Sequence, residues 1–191
     1  MELQKINWDD PSAIKKTLSV LGDGGVIVYP TDTIYGFGGD ATSETVIKNI
    51  NLIKGRSSPM SVLAPSVKVA LTWLNIPNEE LPSISNVLGG KTTVIVPIHK
   101  NIVHESILGP GRTLGIRIPD HPYCKAISKE FSNPIITTSV NRSGEVPISQ
   151  PADVVSHFGQ EIDLFINDGI LSGSASKIYI YQKGMLKILR S

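Results

Sequence analysis

Cysteine occurs once in this chain of 191 residues, as Cys124. That excludes an internal disulfide and any metal site built on several thiolates. The thiol is expected to pack as a small hydrophobe on a helix. Aromatic residues make up only 6%, too few for a surface that binds single-stranded nucleic acid mainly by stacking. Charge is scarce as well, at 18% charged residues and a net +1. Nothing in the overall field attracts a duplex, and an anion site has to be assembled locally. Apolar runs such as residues 26–29 or 94–96 are far shorter than the ~20 residues that cross a bilayer. The first six residues, Met1 to Ile6, have neither the basic start nor the apolar core of a secretory signal. A cytoplasmic protein without membrane association is expected. The four histidines, His99, His104, His121 and His157, have no metal-ligand spacing, and no Ser, His and acid constellation is legible. His121, between Asp120 and Pro122, reads as a turn residue. Neither the Walker A pattern nor the dinucleotide fingerprint occurs. With no obvious nucleophile, the chemistry that remains is one in which the protein positions reactants and neutralises their charge.

What is present is enough apolar material, 40% of the chain, for one sizeable core, so a single domain over residues 1–191 is expected. Ile14, Leu18 and Leu21, after Asp10-Pro11 and before Gly22, suggest a short amphipathic helix. The run 26–29 reads as a strand buried on both faces. Ser43 is the expected N-cap of a helix carrying Val46, Ile47, Ile50 and Ile53 and stopping near Gly55. Further strands are expected over 61–64, 92–98, 114–118, 134–138, 164–167, 177–181 and 185–189. The last two flank Gln182-Lys183-Gly184 as a hairpin. Helices are expected over 67–74, 81–88, 123–131 and 152–158. Strands and helices interleave, yet the hairpin and adjacent strands argue for a mixed rather than a purely parallel sheet, so the predicted class is α/β with a twisted, open, mixed sheet.

Three small-polar segments adjoin strand ends. The first, 30–41 (Pro-Thr-Asp-Thr-Ile-Tyr-Gly-Phe-Gly-Gly-Asp-Ala), has the hydroxyls and glycines of a ligand loop, although a turn-rich connection has the same composition. The second is 137–144, with Thr137, Thr138, Ser139 and Asn141 as neutral donors. The third is 172–177, with Ser172, Ser174 and Ser176. Their coincidence points to one composite pocket. Lys54 and Arg56 flank Gly55, an arrangement that suits a polyphosphate and equally suits a helix C-terminus, whose dipole cations complement. Arg117 sits inside an apolar strand, where a charge is costly unless paired, either with a substrate carboxylate or with an internal Asp.

Taken together, the 30–41 segment, Lys54-Gly55-Arg56, the stretch 115–122 (Gly-Ile-Arg-Ile-Pro-Asp-His-Pro), the 139–144 loop, and Asp168-Gly169 followed by Ser176 resemble the YrdC-like family over about residues 15–180. The resemblance implies a YrdC-like open sheet with a concave, positively charged cavity. It further implies a nucleotidyltransferase, a threonylcarbamoyl-AMP synthase, joining L-threonine, bicarbonate and ATP with Mg²⁺ to give threonylcarbamoyl-AMP and pyrophosphate. That reaction is the first step of N6-threonylcarbamoyladenosine (t6A) formation in tRNA. By position in the family's motifs, Lys54 and Arg56 are the catalytic cations on the phosphates. Thr113, Thr137, Ser139 and Asn141 complete the ATP site, and Thr33, Arg117 and Ser176 hold threonine. tRNA and the proteins that transfer the threonylcarbamoyl group are the implied partners. The sequence departs from the family pattern at Ser57-Ser58, at Leu63 where some members have a threonine-contacting His, at Gly90, at Pro147 and at Lys177. Lys91 or Lys177 is a candidate to replace a lost cation. A YciO-like paralogue with another substrate and an RNA-binding module without adenylate synthesis are the alternatives.

Overall fold

The computed structural model describes residues 3–57 and 59–191; Met1, Glu2 and Ser58 lie outside the described residues. In chain order the elements are β1 (Gln4–Asn7), α1 (Ala13–Gly22), β2 (Ile27–Tyr29), β3 (Gly36–Gly38), α2 (Glu44–Lys54), β4 (Ser61–Leu63), α3 (Val67–Trp73), α4 (Leu81–Ser85), β5 (Thr92–Pro97), β6 (Thr113–Arg117), α5 (Pro122–Glu130), β7 (Ile135–Ser139), α6 (Pro151–Phe158), β8 (Leu164–Asn167), β9 (Lys177–Gln182) and β10 (Met185–Arg190). The described strands form one ten-stranded sheet in the order β1-β8-β2-β3-β7-β4-β6-β5-β9-β10. Parallel pairs such as β4–β6 and β5–β9 alternate with antiparallel ones such as β7–β4 and β6–β5, giving the mixed sheet expected. No helix among the described residues is long and apolar enough to cross a membrane.

Local chemistry explains most boundaries. The Ser43 hydroxyl caps α2 by accepting from the Val46 N–H, and Gly55, at φ 65°, ends it in the left-handed conformation that glycine adopts without strain. Helix α1 forms where periodicity placed it, but its buried face is Ala13, Thr17 and Leu21 rather than the stripe through Ile14 and Leu18. The rotation has a polar cause: the Thr17 hydroxyl sits 2.6 Å from the buried Tyr123 hydroxyl of α5 and satisfies it. The helix expected over 81–88 closes early, at Ser85.

Two strands were not legible. β1 has a single buried residue, Ile6, and so carries no alternation. β3 is Gly-Phe-Gly, a composition that disfavours strands. Of its two glycines, Gly38 is required by packing: a Cβ there would stand 2.7 Å from the Tyr29 ring, and one on Gly39, just after the strand, 2.3 Å from a Val46 methyl. The 30–41 segment therefore includes a three-residue core strand, Gly36–Gly38, and residues 30–35 before it remain loop.

The sheet is covered unequally, and this creates the site. On one face α2, α3, α4 and α6 pack over a core that takes Val62, Val94, Val96, Leu114, Ile116 and Ile136 from successive strands. The other face has a second, smaller cluster where α1 and α5 cover β1, β8 and β2. Strand alternation sends Ser61, Thr93, Ile95, Gly115, Arg117, Thr137 and Ser139 to that second face, beyond the reach of α1 and α5.

Candidate functional site

The uncovered stretch is a cavity of about 320 Å³ lined by Ser61, Thr93, Ile95, Arg117, Thr137 and Ser139 of the sheet, by Thr31 and Gly36, by Arg56, and by Ser176, Ile178 and Arg190. All three small-polar segments contribute to it, as their coincidence at strand ends suggested.

At one end the first loop is folded around the Thr31 hydroxyl, which accepts from the N–H groups of Thr33 and Ile34. This turn sets Asp32 and Thr33 against Arg117, whose Nη2 donates to Asp32 Oδ1 at 2.9 Å and to Thr33 Oγ1 at 3.1 Å. Asp32 Oδ2 also accepts from the Asp120 N–H. Of the two kinds of partner open to Arg117, the structure shows the internal Asp, Asp32. Its Nε is buried without a partner, as is that of Arg56. Ser176 is buried beside Arg117's strand neighbour Thr93, their hydroxyls 2.8 Å apart. The 172–176 segment comes within backbone contact of Thr33: a Cβ on Gly173 would lie 2.1 Å from the Thr33 carbonyl oxygen, so only glycine permits this closure.

Arg56 stands at another wall with Thr138 and Ser139, its Nη2 3.4 Å from Thr138 Oγ1. Burial lowers its pKa below the usual arginine value. A third guanidinium, Arg190, lies outside every expectation drawn from the sequence. It donates through Nε and Nη2 to the Ser176 carbonyl at 3.0 and 2.6 Å. Burial and the neighbouring Arg117 lower its pKa. It reaches the cavity because the pairing of β10 with β9 shifts between Ile188 and Arg190, so that Arg190, not Leu189, stands opposite Ile178; such a bulge re-aims a side chain. Arg190 lies one residue beyond the strand expected over 185–189, so no signal comparable to that at Arg117 singled it out.

Not every expected residue is in the lining. Thr113 shares the sheet face of Arg117 but lies at the opposite end of β6, where its hydroxyl donates to the Pro110 carbonyl. Lys54 and Asn141 form a layer behind Ser139. Thr33 touches Arg117 from behind the lining. Lys91 and Lys177 do not line the cavity, whereas Arg190 lines it together with Arg56 and Arg117. Of the departures, Pro147 lines the cavity, while Leu63 is buried in the cluster under α5. His121 is a structural residue: Nδ1 accepts from the Tyr123 N–H to cap α5, and Nε2 lies 3.2 Å from Asp168 Oδ2.

Three guanidinium groups, neutral hydroxyl donors and one carboxylate already paired to Arg117 describe a site for an anionic, polyoxygenated ligand. The family model Sua5/YciO/YrdC, described as telomere recombination, matches residues 19–191. The threonylcarbamoyl-AMP synthase of Coxiella burnetii is 30% identical over 162 residues, 81% of this chain and 84% of the relative. Among solved structures, Escherichia coli YciO superposes with a TM-score of 0.87 at 23% identity, covering 100% of this chain and 95% of that one. Sua5 of P. abyssi complexed with L-threonine gives 0.87 at 23% identity; this chain is covered fully but spans 57% of the Sua5 chain.

Proposed function

The chain belongs to the Sua5/YciO/YrdC family, and from that premise we propose that it is a threonylcarbamoyl-AMP synthase, a nucleotidyltransferase that condenses L-threonine, bicarbonate and ATP and releases pyrophosphate. The observation that carries this reading is the convergence of Arg56, Arg117 and Arg190 on one cavity with hydroxyl-rich walls. Threonine's carboxylate lies at the Arg117, Thr33 and Ser176 end, where Arg117 keeps further donors besides the Nη2 bonded to Asp32. Its amine captures carbon dioxide from bicarbonate as a carbamate. A carbamate oxygen then attacks the α-phosphorus, and the bond to the pyrophosphate oxygen breaks. Arg56, with Thr138 and Ser139 beside it, and Arg190 neutralise the charge that collects on the phosphates, which is most of what a protein contributes to such a step.

Among the described residues no group of three or more His, Cys, Asp or Glu could hold a metal ion. Mg²⁺ would enter with the substrate, on the nucleotide's phosphates and water, as is usual for this ion. The product feeds t6A formation in tRNA through transfer proteins, in a cytoplasmic setting and from a chain that is one YrdC-like domain.

A second reading, a YciO-like paralogue with another substrate, is favoured by Leu63, which is buried in the core instead of offering a polar contact to threonine. The deciding experiment is pyrophosphate release from MgATP and bicarbonate with L-threonine, L-serine or no amino acid. The synthase requires threonine-dependent release that is lost in Arg56→Ala and Arg117→Ala. ATP binding without threonine-dependent turnover supports the paralogue.

A further inference from the structure

Lys54 is the last residue of α2, adjacent to the cavity in sequence but not part of its lining. Its side chain runs inward, 1% exposed, with Nζ 5.5 Å from the Phe37 ring centroid. The ammonium donates to the Ser139 carbonyl at 2.5 Å, to the Asn141 carbonyl at 3.1 Å and to Asn141 Oδ1 at 3.2 Å. An ammonium has three N–H donors, and three acceptors of the loop after β7 engage them. Asn141 is equally committed: Oδ1 also accepts from the Ser139 hydroxyl, and Nδ2 donates to the carbonyls of Arg142 and Glu145. The same loop is held to the end of α2 by the Ser143 N–H on the Lys54 carbonyl and by Arg142 on the Ile53 carbonyl.

We propose that Lys54 is a positioning residue that does not touch the nucleotide: it clamps the Ser139–Asn141 turn so that the Thr138 hydroxyl, with Ser139 next to it, is held beside Arg56. The proposal rests on the adenylate-forming reading above. A phosphate contact would require the ammonium to leave at least one of its three acceptors and to emerge from behind Ser139, whereas Arg56, two residues on, already occupies the wall. Burial, and secondarily the charge of Arg56, lowers the Lys54 pKa to about 8. The charged groups packed around it are Arg56 and Arg142, the latter paired with Glu161. The clamp is therefore complete below about pH 8 and loses a donor above it.

The test is steady-state pyrophosphate release together with calorimetric MgATP binding, for wild type, Lys54→Met, Asn141→Ala and the double variant. Lys54→Gln, which keeps one donor arm, serves as a milder second variant should Lys54→Met fail to fold. A clamp predicts that Lys54→Met weakens MgATP binding by about tenfold or more, leaves the KM for threonine unchanged, and removes an alkaline decline that wild type has near pH 8. The double variant should be no worse than the poorer single one, since both remove the same turn. Additive losses, or an alkaline decline that persists in Lys54→Met, would overturn the proposal. If wild type releases no pyrophosphate with threonine but binds MgATP, the synthase reading fails, while the same non-additivity read in MgATP affinity still decides the role of Lys54. Unchanged MgATP affinity in Lys54→Met overturns it in either case.

Discussion

Replacing Asp32 by Asn keeps the shape and the acceptor for the Asp120 N–H but removes the one charge that balances Arg117 at 2.9 Å. Both side chains are nearly buried, at 9% and 7% exposure, and Arg190 is close enough for Arg117 to depress its pKa. Removing one partner of a buried ion pair typically costs 3–5 kcal/mol, and because this pair borders an open cavity the lower end, about 3 kcal/mol, is expected. For a chain of this size that corresponds to a fall in Tm of roughly 6–12 °C. An anion should then replace the missing charge. Thermal unfolding monitored with increasing sulfate or pyrophosphate should raise the Tm of Asp32→Asn more steeply than that of wild type, because the variant's cavity carries one more uncompensated positive charge. Equal Tm values without anion, or parallel anion responses, would refute the claim that Asp32 holds Arg117 in place by charge.

Two further outcomes follow from contacts already described. Cys124 is buried, its thiol donates to the Pro30 carbonyl, and burial pushes its pKa well above the ordinary thiol value; an aromatic disulfide reagent should react with it only at the rate of unfolding, and rapid labelling of the native protein would contradict this. Gly173→Ala must move the 172–176 segment off Thr33, an overpacking that typically costs about 1–3 kcal/mol; it should raise the KM for threonine with little change in that for ATP, and an unaltered threonine KM would mean that the contact does not shape that end of the cavity.

The fold was legible wherever one periodicity ruled a segment. α2 carries its apolar stripe in eleven residues, with its cap, Ser43, just before them and its stop, Gly55, just after, and it forms as expected. β8, Leu164–Asn167, has the expected limits too. Legibility failed where tertiary packing overrode composition, as at β3, whose Gly38 answers to the Tyr29 ring while Gly36 lines the cavity. It failed again at α1, where a hydroxyl pair outweighed two aliphatic side chains in choosing the buried face. For the site, residue type was more informative than position. Arg117 and the three polar loops pointed to a cavity, but Lys54 and Arg56, one glycine apart, looked alike. What separates them is the direction each side chain takes from the turn at Gly55, and no pattern in the sequence encodes which of two neighbouring cations meets three carbonyl-type acceptors. Arg190 was hidden by a single-residue bulge, since a shift of one position in a strand exchanges its two faces.

The distribution of charge also bears on how a ligand finds this cavity. The chain as a whole carries +1, yet three guanidinium groups and one paired carboxylate meet in about 320 Å³. Such a local excess is felt over roughly a Debye length, about 8 Å at physiological salt. Long-range steering is therefore weak, and discrimination has to arise after entry, from the match between oxygen positions and fixed donors. The residues that fix those donors act on exactly this step: Asp32 orients one guanidinium, the β10 bulge delivers another, and Lys54 holds the turn beside the third. Loss of the bulge or of Lys54 leaves the cavity's residues present but misplaced, and the expected signature is weaker binding of the charged substrates without loss of the fold.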